Sequence, residues 1–182
     1  MRVRRCFSFL DLCGFTAYTE GEGDTQAVAV LASLRATLRA SCEEHGVRVT
    51  KWLGDGVMLS GLEADDVVAC SAEVRDLVSR HGILPLRGGI CVGDVIMFEG
   101  DDYVGASVNV AARLCAIAAP DEVLIALHGA PDCPAVRDGG PPRVVAVPGI
   151  SGTVEVRALA AAPRLRAVPD AGSAGAVRPI AG

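Results

Sequence analysis

An α+β fold, one mostly antiparallel sheet with helices packed on one face, is predicted by the order of periodicities along this chain. Three observations carry that expectation. Short apolar strand-like runs alternate with long segments of helical spacing, and Gly54-Asp55-Gly56 marks a tight hairpin. The resulting order is strand, helix, two strands, helix, strand, then helix and strand, a ferredoxin-like split βαβ pattern.

The first strand is expected over 3–12, followed by a turn at Gly14. Val28, Leu31, Leu34 and Leu38 recur at helical spacing within 25–44, and His45-Gly46 supplies the stop. Strands over 47–53 and 57–62 flank the Gly-Asp-Gly hairpin. A second amphipathic helix is expected over 65–81, stopped by Gly82. Residues 86–92 and 95–98 read as a strand pair joined through Gly93-Asp94, and a third helix covers 107–118. A strand follows over 122–127, then a Pro, Gly and Asp-rich loop over 128–142 and edge strands over 144–147 and 153–158.

Residues 1–159 read as one domain, and 160–182 as a low-complexity tail of Ala, Pro, Gly and Arg with too few large apolar groups to offset its ordering entropy. The chain of 182 residues is 51% hydrophobic with a net charge of −5, so no basic face for nucleic acid is expected. Seven aromatic residues (4 Phe, 2 Tyr, 1 Trp) offer poor stacking platforms, which argues against an RNA-binding module of similar strand order. The seven cysteines form no CxxC pair, so reduced thiols in a cytoplasmic protein are expected rather than a zinc site or a disulfide framework. No apolar run approaches the ~20 residues needed to span a bilayer.

Polar residues punctuate three blocks of this apolar chain: FSFLDLCGFT (7–16), TKWLGDGVM (50–58) and DYVGASVNVAARL (102–114). Asp11 closes an apolar strand, where a carboxylate needs a cation or donors; a cap for the following turn is the alternative. Asp55 alone is ordinary hairpin chemistry. If the first strand lies between the hairpin and the fourth strand, Asp11 and Asp55 flank one site able to hold two Mg²⁺ or Mn²⁺ ions. The turn Gly14-Phe15-Thr16 leads into a helix whose N–H groups can cradle a triphosphate. Asn109 and Arg113 are four apart and share a helix face, although Arg113 alone would read as a solvated charge. Lys51 and Asp102 alone would read as a surface lysine and a turn acid.

Together the three blocks resemble the catalytic domain of class III nucleotide cyclases, over roughly residues 5–126. The resemblance implies that Asp11 and Asp55 hold the metals, Lys51 and Asp102 read the base, Asn109 orients the ribose and Arg113 stabilises the transition state. Lys as donor and Asp as acceptor match N1 and the exocyclic amine of adenine. Guanine reverses both, so the implied reaction converts ATP to cyclic AMP and pyrophosphate. The family shares each site across two subunits, which implies a homodimer. Alternatives are a guanylyl cyclase and a catalytically silent nucleotide-binding or dimerisation module. A diguanylate cyclase is disfavoured because the turn at 54–57 lacks that family's acidic motif.

Overall fold

The computed structural model describes residues 1–99, 102–150 and 152–161. Of the expected tail, only Ala160 and Ala161 fall among them. The elements in chain order are β1 (Arg2–Leu12), α1 (Phe15–Glu22), α2 (Asp24–Glu44), β2 (Arg48–Leu53), β3 (Gly56–Gly61) and α3 (Ala64–His81). They continue as β4 (Leu86–Phe98), β5 (Asp102–Val104), α4 (Ala106–Ile117), β6 (Val123–Ala126), α5 (Pro134–Arg137), β7 (Arg143–Ala146) and β8 (Thr153–Ala158).

The sheet runs β2-β3-β1-β4-β6-β8-β7, with β5 paired to the far end of β4. β1 lies between the hairpin strand β3 and β4, which meets the condition for Asp11 and Asp55 to flank one site. It pairs antiparallel with β3 (Asp11 opposite Gly56) and with β4 (Asp11 opposite Arg87). Strand alternation then sorts the core. Cys6, Leu10 and Leu12 face α2 and α3, where they meet Leu34, Leu38, Val67 and Val74. Phe7 and partly buried Phe9 face the opposite side with Met58, Cys91 and Leu114.

The split βαβ unit is therefore present, with α2 and α3 together on one face. α4 departs from the one-face expectation and lies on the other. The reason is the glycines of β4: a side chain at Gly89 would overlap the backbone of Ala111 and Cys115, and one at Gly93 would start 2.9 Å from Ser107 Cβ. Their bare surface lets α4 sit directly on the strand. Gly93-Asp94 is accordingly no turn: β4 is one strand of 13 residues where a strand pair was expected. Two further differences are local. The helix expected over 25–44 is present as α2, and a short helix, α1, precedes it, the two separated at Gly23 with φ 85°. The pairing of β2 with β3 slips between Val49 and Lys51, leaving Thr50 as the extra residue of a bulge.

Candidate active site

Asp11 stands on the α4 side of the sheet, in the face series of Phe7 and Phe9. The hairpin tip is held beside it, because Leu12 N–H donates to Asp55 O at 3.4 Å. Gly54, at φ 74°, makes that turn. Gly56 leaves room for the Asp11 carboxylate: a side chain there would start 3.0 Å from both Asp11 Oδ1 and Leu10 O. Burial, followed by the Asp11 charge, pushes the Asp55 carboxyl above its ordinary value, although its own backbone N–H and Arg87 oppose this.

Two neighbouring carboxylates are hard oxygen donors suited to Mg²⁺ or Mn²⁺. Among the described residues they gather no group of three or more His, Cys, Asp or Glu side chains. Remaining ligands would have to be backbone, water or phosphate oxygens. The nearby Cys115 thiol is pushed up to about 12, first by burial, and stays protonated.

Arg87 is the residue that sequence reasoning missed. Its Nη2 and Nε donate to Asp11 Oδ2 at 2.8 and 3.2 Å, which holds the guanidinium firmly charged. A small cavity of about 170 Å³ is lined here by Asp11, Leu53, Gly56, Arg87, Ala112 and Cys115. Beyond Asp11 the chain turns at Gly14, φ 75°, into α1. Tyr18 N–H makes the first helical bond, to Gly14 O at 3.0 Å, so the N–H groups of Phe15 and Thr16 precede any intrahelical acceptor.

Lys51 and Asp102 meet, with Lys51 Nζ 3.4 Å from Asp102 Oδ1. Two irregularities bring them together. The Thr50 bulge moves Lys51 off the face of Val49 and opposite Met58, onto the side of Asp11. The end of β4 carries β5 back over that side, where the Tyr103 ring packs edge-on against Phe7 at 5.2 Å.

Asn109 and Arg113 are not brought to Asp11. α4 turns Ala112, Cys115 and Ala116 towards the Asp11 cavity, whereas Asn109 and Arg113 are exposed. A side chain at Gly149, in the turn between β7 and β8, would start 3.7 Å from Arg113 Nη2. This chain thus assembles the carboxylates and the Lys-Asp pair on one face and presents the Asn-Arg pair outward.

No protein-family model matches the chain. An uncharacterised protein of Mycobacterium tuberculosis is 34% identical over 135 residues, 72% of this chain and 35% of that protein. A putative adenylate cyclase of Rhizobium meliloti is 33% identical over 143 residues, 71% of this chain and 24% of the relative. An adenylate cyclase of Streptomyces coelicolor is 30% identical over 123 residues, 67% of this chain and 32% of the relative. The chain therefore spans about a third or less of these relatives. Among solved structures, adenylyl cyclase CyaB of P. aeruginosa shares the fold with a TM-score of 0.74 at 24% identity, covering 90% of this chain and 97% of that one. Guanylyl cyclase Cya2 gives a TM-score of 0.73 at 25% identity, covering 92% and 96%. With the fold, the sequence relatives and the assembled blocks in agreement, this chain belongs to the class III nucleotide cyclases.

Proposed function

We propose that the chain is an adenylyl cyclase that converts ATP to 3′,5′-cyclic AMP and pyrophosphate, with each active site shared between two copies. The observation that carries this reading is the meeting of Lys51 and Asp102 at 3.4 Å across 51 residues of sequence. A donor and an acceptor side by side match the adenine edge, and each mismatch with guanine would leave a polar group unpaired at about 1–3 kcal/mol.

Asp11 and Asp55 would hold two Mg²⁺ or Mn²⁺ ions. Bound there, these would acidify the ribose 3′-hydroxyl and neutralise the triphosphate. The N–H groups of Gly14, Phe15 and Thr16 face the phosphates at the start of α1. Asn109 orients the ribose, and Arg113 stabilises charge developing on the α-phosphoryl oxygens during attack by the 3′-oxygen. The exposed Asn109 and Arg113 have no hydrogen-bond or ion-pair partner among the described residues, which supports their donation to a second copy's site. Among those residues no helix is long and apolar enough to cross a membrane. The seven free thiols support a reducing, cytoplasmic setting.

The test is purified protein with Mn²⁺ and either ATP or GTP, assayed for cyclic product. Cyclic AMP should form, with GTP turned over at least tenfold more slowly. Nucleotide binding without any cyclic product, at concentrations where dimers are seen, would replace this reading with the silent module.

A further inference from the structure

Asp11 is already engaged in this chain. Arg87 stands directly opposite it on β4 and places both Nη2 and Nε on one carboxylate oxygen, Oδ2, at 2.8 and 3.2 Å. The third arm, Nη1, donates at 3.2 Å to the carbonyl of Ala116 in the last turn of α4. The other carboxylate oxygen, Oδ1, lies towards Gly56. The fixed fork of a guanidinium makes this a rigid three-point tie between β1, β4 and α4. The pair is also shielded, with side-chain exposures of 33% and 27%, so its attraction is less screened than that of a surface ion pair.

An incoming cation meets two obstacles here: an occupied oxygen and a fixed positive charge. We propose, resting on the metal reading above, that Arg87 is an internal counter-cation that latches Asp11 and the end of α4 in the metal-free chain, and that a divalent metal binds by displacing it. Arg87 is then a positioning residue that sets metal affinity by competition. Release of Asp11 also frees the guanidinium that grips Ala116, on the same helix that carries Asn109 and Arg113. Occupation of the metal site is in this way linked to the helix that serves the neighbouring copy.

The test is calorimetric titration of nucleotide-free protein with Mn²⁺, alongside melting curves with and without the metal. Arg87→Met keeps the apolar stem and removes the charge. It should bind Mn²⁺ roughly tenfold more tightly than the unaltered chain, since a like charge a few ångströms away is gone. It should also melt lower without metal and gain more on adding it. Arg87→Lys keeps the charge and should stay within about threefold of the unaltered affinity, since Lys provides a point charge in place of the fork. Structural damage alone would weaken binding, so a gain in affinity separates the latch from a scaffold role. Unchanged or weaker Mn²⁺ binding by a folded Arg87→Met chain overturns the latch and leaves the metal reading standing. Asp11→Asn should abolish the binding; if it does not, the metal assignment itself falls and takes the latch with it.

Discussion

The two halves of the candidate site differ in how completely this chain finishes them. At the ends of β1 and β3, Asp11 is clasped by Arg87, Gly56 is cleared for its carboxylate, and Asp55 is tied through its carbonyl to Leu12. On the outward side of α4, Asn109 and Arg113 are exposed and without a hydrogen-bond or ion-pair partner among the described residues. Polar groups that are costly to bury are satisfied at once where the chain itself encloses them. Under the shared-site proposal, Asn109 and Arg113, left open on α4, are the half that a second copy completes.

The largest effect should come from breaking each half in a different chain. Asp11→Ala and Arg113→Ala should each lose on the order of 10²–10³-fold in cyclase activity, the scale of removing a group that stabilises developing charge. An equal mixture should recover about a quarter of the unaltered rate, because half the dimers are mixed and each carries one intact site. Native mass spectrometry can confirm that mixed dimers form. Their presence without any recovery would show that the halves are not shared.

A pair of glycines tests the same contrast at intermediate strength. In Gly56→Ala the new methyl starts 3.0 Å from both Asp11 Oδ1 and Leu10 O, so overpacking should cost about 1–3 kcal/mol in urea denaturation and weaken Mn²⁺ binding. In Gly149→Ala the methyl starts 3.7 Å from Arg113 Nη2, an ordinary contact, and the penalty comes from φ 79°. That strain costs about 1–2 kcal/mol. Mn²⁺ affinity should therefore separate two variants of similar stability. Equal Mn²⁺ affinities would remove Gly56 from the metal site.

The Lys51–Asp102 pair sits between the two regions in character, paired but 59% and 63% exposed. An ion pair this exposed adds little to stability, so Asp102→Ala should change unfolding free energy by less than about 0.5 kcal/mol. The preference for ATP over GTP should nevertheless fall about tenfold or more, since adenine's amine loses its acceptor. Retained selectivity would assign base reading elsewhere.

What the sequence made legible follows the same division. Asp11 stood out because a carboxylate interrupts an apolar strand, and the hairpin because Gly54-Asp55-Gly56 has one dominant structural use. Asp55 and Lys51, by contrast, took on candidate roles only through the three blocks read together. Arg87 was not legible, since its meaning lies in register: it is 76 residues from Asp11 and becomes its neighbour only when β1 pairs with β4. Gly93 looked like a turn because a glycine that serves close packing has the same local signature as one that serves a bend. The Thr50 bulge was equally silent, yet without it strict alternation would point Lys51 to the α2 side of the sheet. Long-range pairing decides each of these, and short windows do not contain it.

The smallest predicted effect concerns protons at the finished half. Burial, followed among the raising causes by the Asp11 charge, lifts the folded-state Asp55 carboxyl above 3.8. In the unfolded chain the group has its ordinary value, so the folded state binds the proton more tightly. A raised carboxyl therefore subtracts stability above its folded value, and the loss disappears as pH falls below the unfolded one. Metal-free Asp55→Asn should accordingly be slightly more stable than the unaltered chain at pH 7, with the difference closing towards pH 3. If Asp55 holds metal as proposed, adding Mn²⁺ at pH 7 should reverse the order, because the carboxylate that lowers the stability of the metal-free chain is then the one that binds the ion. An unaltered chain that gains no more than Asp55→Asn from Mn²⁺ would detach Asp55 from Asp11 and leave the hairpin turn as its only role.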